Sequence, residues 1–232
     1  MSEMIKFVFK WLFRLFLVAV ALVVIFLLSL DSFLRVVIQN RIRAQTGMNA
    51  EIGKFTLGLI EPTITIKDFK LFNPPSFGGT PFLDIKEIHV EYDRAAFAKS
   101  ELHITLLRFN LTELDIVKNS AGQTNLFSLA ALPSVKQSSG SGKSFTKQTG
   151  LEFTGIDVLN VSIGKAQFID LQDQHNNRGQ VIGIENCVMK NVKTPADLAG
   201  LGLLVALRGG DFFGSLTGPK PSSSGLLQFL GK

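Results

Sequence analysis

Sulfur chemistry and polar aromatics are nearly missing from this chain. One cysteine, Cys187, stands in 232 residues. It has no partner for an intramolecular disulfide, and in the apolar-flanked run GIENCVMKNV it reads as a small buried hydrophobe. Tryptophan and tyrosine occur once each, against 20 phenylalanines. Phe brings apolar area with no polar tip to satisfy, whereas buried Tyr and Trp want a hydrogen-bond partner. The balance favours dry apolar surface over a polar catalytic pocket.

Catalytic and metal motifs are equally scarce. The three histidines, His89, His103 and His175, stand apart with no HExxH, so no metal site is expected from them. The stretch Asp170-Leu-Gln-Asp173-Gln-His175-Asn176-Asn177 gathers oxygen ligands but lacks the EF-hand spacing and terminal Glu, and reads as a polar hairpin loop before a calcium site. Gly142-Lys143-Ser144 imitates the end of a phosphate-binding loop, yet Gln137 stands where its first glycine belongs. Residues 214–218 read GSLTG, with serine one place early for a nucleophile elbow. Asn110-Leu-Thr112 and Asn160-Val-Ser162 match the glycosylation acceptor pattern, which matters only in a eukaryotic secretory route. No enzyme and no cofactor are expected.

What the chain does have is a long charge-free run, Leu15 to Leu30, preceded by Lys10, Trp11 and Arg14. Counted from Trp11 it is about 20 residues, which as a helix matches a hydrocarbon core of roughly 30 Å. Lys10, Trp11 and Arg14 are the expected membrane-interface residues, because a long basic side chain near a helix end snorkels to the headgroups and indole suits the same depth. A cleaved signal peptide is the competing reading. Against it stand the length of the run and the lack of a small-x-small cleavage site at Leu28-Ser29-Leu30-Asp31. Residues 1–31 are therefore expected to be a retained anchor, with its helix at about 11–30. A short basic N-terminal tail stays in the cytoplasm, and a long domain translocates largely regardless of charge, so the domain is expected outside.

Net charge is +5 with a pI near 9.4. The basic residues are scattered and several flank the apolar run, which points to anionic headgroups as partner and not to nucleic acid.

After the anchor, Asp31-Ser32 can cap a second helix over 32–47. Leu34, Val37, Ile38 and Ile42 make its apolar stripe, and Gly47 its stop. From Met48 the period changes from 3.6 to 2. Alternating runs cover Phe55 to Leu59, Ile64 to Leu71 with a phase slip at Lys67-Asp68, Leu83 to Tyr92, and Glu101 to Asn119. Short Pro/Gly loops between them predict antiparallel meander pairing over 48–132. A Ser/Gly/Lys-rich link at 133–150 precedes a second β segment at 151–193, with strands at 153–163, 166–171 and from 181. Thr194 caps a helix over 194–210 in which Pro195 takes the first position and Gly209-Gly210 is the end. It is apolar nearly all round, so it must be covered or touch lipid. Residues 211–232 are expected to be a mobile tail. The fold class is thus mainly β with helices: anchor, amphipathic helix, bent antiparallel sheet, and a short apolar helix near the C-terminus.

The order of parts, with NAEIGKFTLGLIEPTITIKDFKLFNP, FLDIKEIHVEYD, ELHITLLRFNLTELDIVKN and GQTNLFSL, resembles the AsmA-like proteins of bacterial envelopes over about residues 5–130. The closest echoes are Asn73-Pro74 after a strand pair, the LDIKEI strand, and Asn125-Leu126 after the long strand. The resemblance implies an inner-membrane, single-pass protein with a periplasmic domain. It also implies a bent sheet whose apolar groove carries phospholipid acyl chains, as in bridge-like lipid-transfer proteins. Membrane lipid and other envelope proteins, or further copies of the chain, are the implied partners.

This chain is short beside the large members, so one copy is not expected to cross an envelope alone. It works either with copies or partners end to end or as an accessory or scaffold subunit. Phe55, Leu57, Ile64, Ile66, Leu83, Ile85, Val90, Ile104 and Leu106 are the candidate lipid-lining residues. Period-two alternation is shared by an open lining and by the core of a closed sandwich.

Overall fold

The computed structural model describes residues 31–44, 46–58, 60–126, 149–210 and 212. The predicted anchor with Lys10, Trp11 and Arg14, the greater part of the 133–150 link, and nearly all of the 211–232 tail lie outside them. Among the described residues no helix is long and apolar enough to cross a membrane.

Six strands form one mixed sheet in sequential order: β1 (Asn49–Leu57), β2 (Thr63–Phe72), β3 (Pro81–Tyr92), β4 (Glu101–Lys118), β5 (Glu152–Asp170) and β6 (Arg178–Val192). Neighbours pair antiparallel except β4 and β5, which run parallel from Glu101↔Glu152 to Lys118↔Asp170. This corrects the all-antiparallel expectation, and it joins the two predicted β segments in one sheet. The physical reason is reach. The chain must return about 60 Å along β4 before β5 begins, and the more than thirty residues between them span over 100 Å when extended. A connection of that length frees the next strand to start from either end. The strands predicted separately at 153–163 and 166–171 are one strand, β5.

A transverse crease explains why the apolar alternation slips phase in every strand. Between β1 and β2 it passes through Gly53 opposite Asp68, which takes a left-handed φ of 53°. A Cβ on Gly53 would lie 2.9 Å from that of Asp68, so the pair tolerates only glycine there. The line continues through Lys86, Thr112 and Gly164, and reaches β6 at register shifts on either side of Ile184. An extra residue in a strand inverts the facing of everything beyond it. Because all the strands slip at the same level, their apolar residues stay on one face. Cross-strand rows such as Leu57–Ile64–Val90–Leu107–Leu159–Met189 and Phe55–Ile66–Ile88–Phe109–Val161–Cys187 run unbroken from β1 to β6.

Two helices flank this face. The first, α1, is helical over 31–44 and half-buries Leu34, Ile38 and Ile42; Ile42 packs on Met48, Leu71 and Phe82. The N–H of Gly47 donates to the Arg43 carbonyl at 2.9 Å, as a C-terminal glycine stop should. Asp31, expected as a cap, has its Oδ1 accepting from the Leu57 N–H at 3.1 Å, and Arg35 donates to the Gly53 carbonyl at 3.1 Å. Both contacts occupy backbone groups on the outer edge of β1, where an unprotected strand would invite pairing.

A one-turn helix, α2 (Arg94–Phe97), lies in the β3–β4 connection, capped by Asp93 Oδ1 accepting from the Ala95 and Ala96 N–H groups. Near the C-terminus a 3-10 turn, Pro195–Leu198, leads into α3 (Ala199–Gly209). Asp197 Oδ2 accepts from the Lys193 and Thr194 N–H groups at 2.8 and 2.7 Å, which holds its carboxyl below the usual range.

Candidate functional site

The apolar face is graded along the strands. Beyond the crease toward Met48 it is sealed. Met48, Phe82, Ile116, Ala166 and Ile182 are buried, and Leu201, Val205 and Phe212 pack on the β4–β6 part of that core. On the other side of the crease, toward Leu57 and Tyr92, the residues Leu57, Ile64, Ile66, Ile88, Val90 and Leu107 are only half-buried. Of these, only Leu107 belongs to a packed cluster among the described residues. This half-open strip covers β1 to β4, bordered by α1 along β1; its continuation on β5 and β6 is closed, with Leu159, Val161 and Val192 buried and Leu198 and Leu201 packed on them. There α3 lies beside β6, where Gln180 Nε2 donates to the Arg208 carbonyl and Arg208 to that of Gly183. Along β4 the strip extends about 30 Å from Leu111 to the strand start. The acyl chains of one leaflet span about 15 Å.

The predicted lining residues divide as follows. Phe55, Leu57, Ile64, Ile66 and Val90 lie together on the half-open side, although Phe55 itself is buried. Leu83 and Ile85 share the same face on the sealed side. Ile104 pairs with Tyr92 and Ile156, and Ile156 packs with Leu159 and Val192 of the apolar face. Leu106 is a correction. It stands opposite Glu91 and Val158, next to Leu107, which itself faces Val90. Adjacent residues in a regular strand point to opposite faces, so Leu106 belongs to the polar side. Ile88, Leu107 and Phe109 belong to the site and were missed. Alternation through HVEY and LLRF offers two phases at those positions, and only the pairing partners choose between them.

The opposite face is a lattice of half-exposed ion pairs. Glu87 contacts Lys67 at 3.6 Å and Arg108 at 3.1 Å; burial raises its carboxyl pKa, but the Arg108 hydrogen bond and the two cations outweigh that and hold it below the usual range. Lys70 pairs with Asp84 at 3.5 Å and Lys165 with Glu113 at 2.8 Å; the Glu113 hydrogen bond raises the Lys165 pKa. Pairs this exposed contribute little to stability, because solvent screens them. Their main effect is to mark this face as the wet one.

Two hydroxyl–imidazole–carboxylate relays lie on the strands. Thr65 Oγ1 is 2.7 Å from His89 Nδ1, and His89 Nε2 is 3.1 Å from Glu91. His103 bridges Thr154 and Asp157 at 3.2 and 3.1 Å. A hydrolytic site would also need a cavity and oxyanion donors. The hollow lined by Asn49, Glu51, Phe72, Asn73, Pro75 and Gly79 is small, about 210 Å³, and touches neither relay.

The oxygen-rich loop after β5 is used internally. Asp170 accepts from the Gln172 and Asp173 N–H groups and pairs with Lys118 at 3.1 Å, which lowers its pKa to about 2. A lysine thus sits where a cation would. Among the described residues no cluster of His, Cys, Asp or Glu could hold a metal ion. Cys187 is half-buried on the apolar face, opposite Val161.

No protein-family model, no curated protein and no solved structure matches the chain.

Proposed function

We propose that this chain is a membrane-anchored, AsmA-like envelope protein that holds phospholipid acyl chains on the half-open part of its apolar sheet face. On this reading residues 11–30 are the single span in a bacterial inner membrane and the sheet lies on the periplasmic side. One observation carries it: the row through Leu57, Ile64, Val90 and Leu107 is apolar in every strand and yet only half-buried from β1 to β4, before it closes at Leu159. A wholly apolar strip wider than a single side chain is costly to leave in water, because each exposed methylene forgoes about 0.8 kcal/mol. An acyl chain recovers that energy and demands no hydrogen bond in return. The face offers binding and no chemistry.

The test is lipid analysis of the full-length chain, purified in a mild detergent and exchanged extensively. Phospholipid retained in fixed ratio to protein is the expected result. Lipid lost in step with detergent exchange overturns the reading.

A second reading, a scaffold subunit of a larger envelope assembly, is favoured by the outer side of α3. There Leu203, Leu204 and Leu207 are exposed, although a helix apolar nearly all round would be expected to be covered. Stable co-purification of other envelope proteins, lost in a Leu203→Glu/Leu207→Glu variant, would support it.

A further inference from the structure

The end of the sheet at which the described chain begins carries its own surface feature. Asp31 is bonded to Leu57, so any segment preceding Asp31 leaves the domain beside the β1–β2 hairpin. At the tip of that hairpin Ile60 is 89% exposed. Its carbonyl accepts from Arg94 Nη2 at 2.7 Å, which ties the tip to α2. On α2, Phe97 is 48% exposed, with its ring 5.7 Å from that of Tyr92. Phe153, at the start of β5, is 38% exposed at the same end, where Glu152 N–H bonds the Ser100 carbonyl. Ile60, Phe97 and Phe153 therefore form a rim across the strand ends. Tip and helix are fastened together, so the rim is not a set of independently moving loops.

We infer that this rim docks on the surface of a phospholipid bilayer, with Ile60 and Phe97 inserted at the headgroup level, and that the half-open strip faces the bilayer end-on. The inference rests on the reading of residues 11–30 as a membrane anchor. Distance supports it. Ile60 is three residues beyond Leu57, so it lies within about 10 Å of it. The headgroup layer on each side of a bilayer is roughly 5–8 Å deep. A span ending at residue 30 brings the hairpin tip to that layer without any further extension. The grading of the apolar face over β1 to β4 has the same polarity: half-open next to the rim, sealed by Met48, Phe82 and Ile116 at the far end. Lipid enters and leaves through the anchored end, and a single copy is a receiving cup rather than a conduit.

The experiment places a bimane label at Ile60→Cys, Phe97→Cys or, as the distal control, Leu171→Cys. Each is made in the full-length Cys187→Ser chain reconstituted into vesicles of phosphatidylcholine and phosphatidylglycerol. A fraction of the phosphatidylcholine carries a nitroxide near the headgroup end of its acyl chain. The expected result is at least a twofold loss of fluorescence at 60 and 97 with little change at 171. Equal quenching at all three positions, none at 60 and 97, or a chain that washes off the vesicles overturns the inference. Lipid retention measured on the same variants in exchanged detergent, before reconstitution, separates the two proposals: quenching without retained lipid leaves the rim standing and removes the acyl-binding strip, and retention without quenching does the reverse.

Discussion

Asn73 and Asn125 meet side chain to side chain, with Asn125 Nδ2 donating to Asn73 Oδ1 at 2.9 Å, and Asn125 only 1% exposed. Each also holds backbone. Asn125 donates to the Asp115 carbonyl at 2.9 Å and accepts from the Val117 N–H at 3.1 Å, while Asn73 reaches Thr80 Oγ1 and the Pro81 carbonyl. The pair thereby locks the loop after β2 to the loop after β4 at the sealed end of the sheet.

Truncating Asn125 to Ala should leave the Val117 N–H, the Asp115 carbonyl and Asn73 Oδ1 buried without that partner. At about 1–3 kcal/mol for a buried unsatisfied group, partly relieved by relaxation, the loss should be roughly 2–4 kcal/mol. Asn125→Asp should be worse at neutral pH, since it keeps the acceptor, loses the donor and adds a charge near Asp115. Thermal unfolding of both variants, followed by circular dichroism, checks the ranking. An Ala variant within a degree of the parent would show that the network is not structural.

Two buried aspartates should pull stability in opposite directions with pH. Burial, helped by Glu113, pushes the Asp115 carboxyl up from 3.8 to about 6, and its Oδ1 finds no donor among the described residues. A raised acid pKa means that the folded state resists ionisation, so the cost grows as pH rises from about 4 to about 6 and is constant above. The full cost is on the order of 2–3 kcal/mol. Asp115→Asn should therefore stabilise the chain at pH 7 relative to pH 4. Asp170, lowered to about 2 by the Gln172 N–H and Lys118, contributes stability above pH 4 that is lost as pH falls toward 2. Melting curves of the parent, Asp115→Asn and Asp170→Asn at pH 3, 5 and 7 separate the two. An Asp115→Asn benefit that does not change with pH would refute the assignment.

The sheet should be intolerant of a side chain at the crease glycine Gly164 and indifferent to one at Gly179, away from the crease. A Cβ on Gly164 would collide with the Thr112 carbonyl oxygen across the parallel β4–β5 pair, whereas at Gly179 the nearest heavy atom is 3.9 Å away. Gly164→Ala must push two long strands apart and should cost roughly 2–4 kcal/mol, the range of severe backbone and overpacking effects. Gly179→Ala should change little. Amide hydrogen exchange across β4 and β5 would report the damage, with faster exchange in the Gly164 variant only.

Much of this architecture is written in the order of residues. The change of period at Met48, the slip at Lys67-Asp68, the Gly47 stop and the Thr194-Pro195 start all correspond to observed elements. What could not be read is what depends on partners far apart in the chain. The parallel β4–β5 pair follows from a long connection whose composition says nothing about direction. Leu106 and Leu107 are both leucines in one strand, and only their neighbours Glu91 and Val90 decide which of them faces the apolar side. Asn73 and Asn125 were visible singly, and their contact was not.

The apolar strip itself makes the sharpest prediction. Ile66 and Val90 are half-buried on it, and Val188, opposite Asn160 on the polar face, is exposed. If the strip binds acyl chains in a partly open setting, an aspartate at Ile66 or Val90 keeps access to water in the empty protein and is tolerated by the fold. It then repels a hydrocarbon ligand that cannot solvate it. Ile66→Asp and Val90→Asp should give folded, vesicle-associated protein that retains several-fold less phospholipid, with melting temperature within a few degrees of the parent. Val188→Asp should retain lipid as the parent does. In a closed core the same charge would cost several kcal/mol and unfold the domain. Aggregation of both strip variants alongside a normal Val188→Asp would identify the strip as ordinary core, and would leave the exposed leucines of α3 as the basis for the scaffold reading.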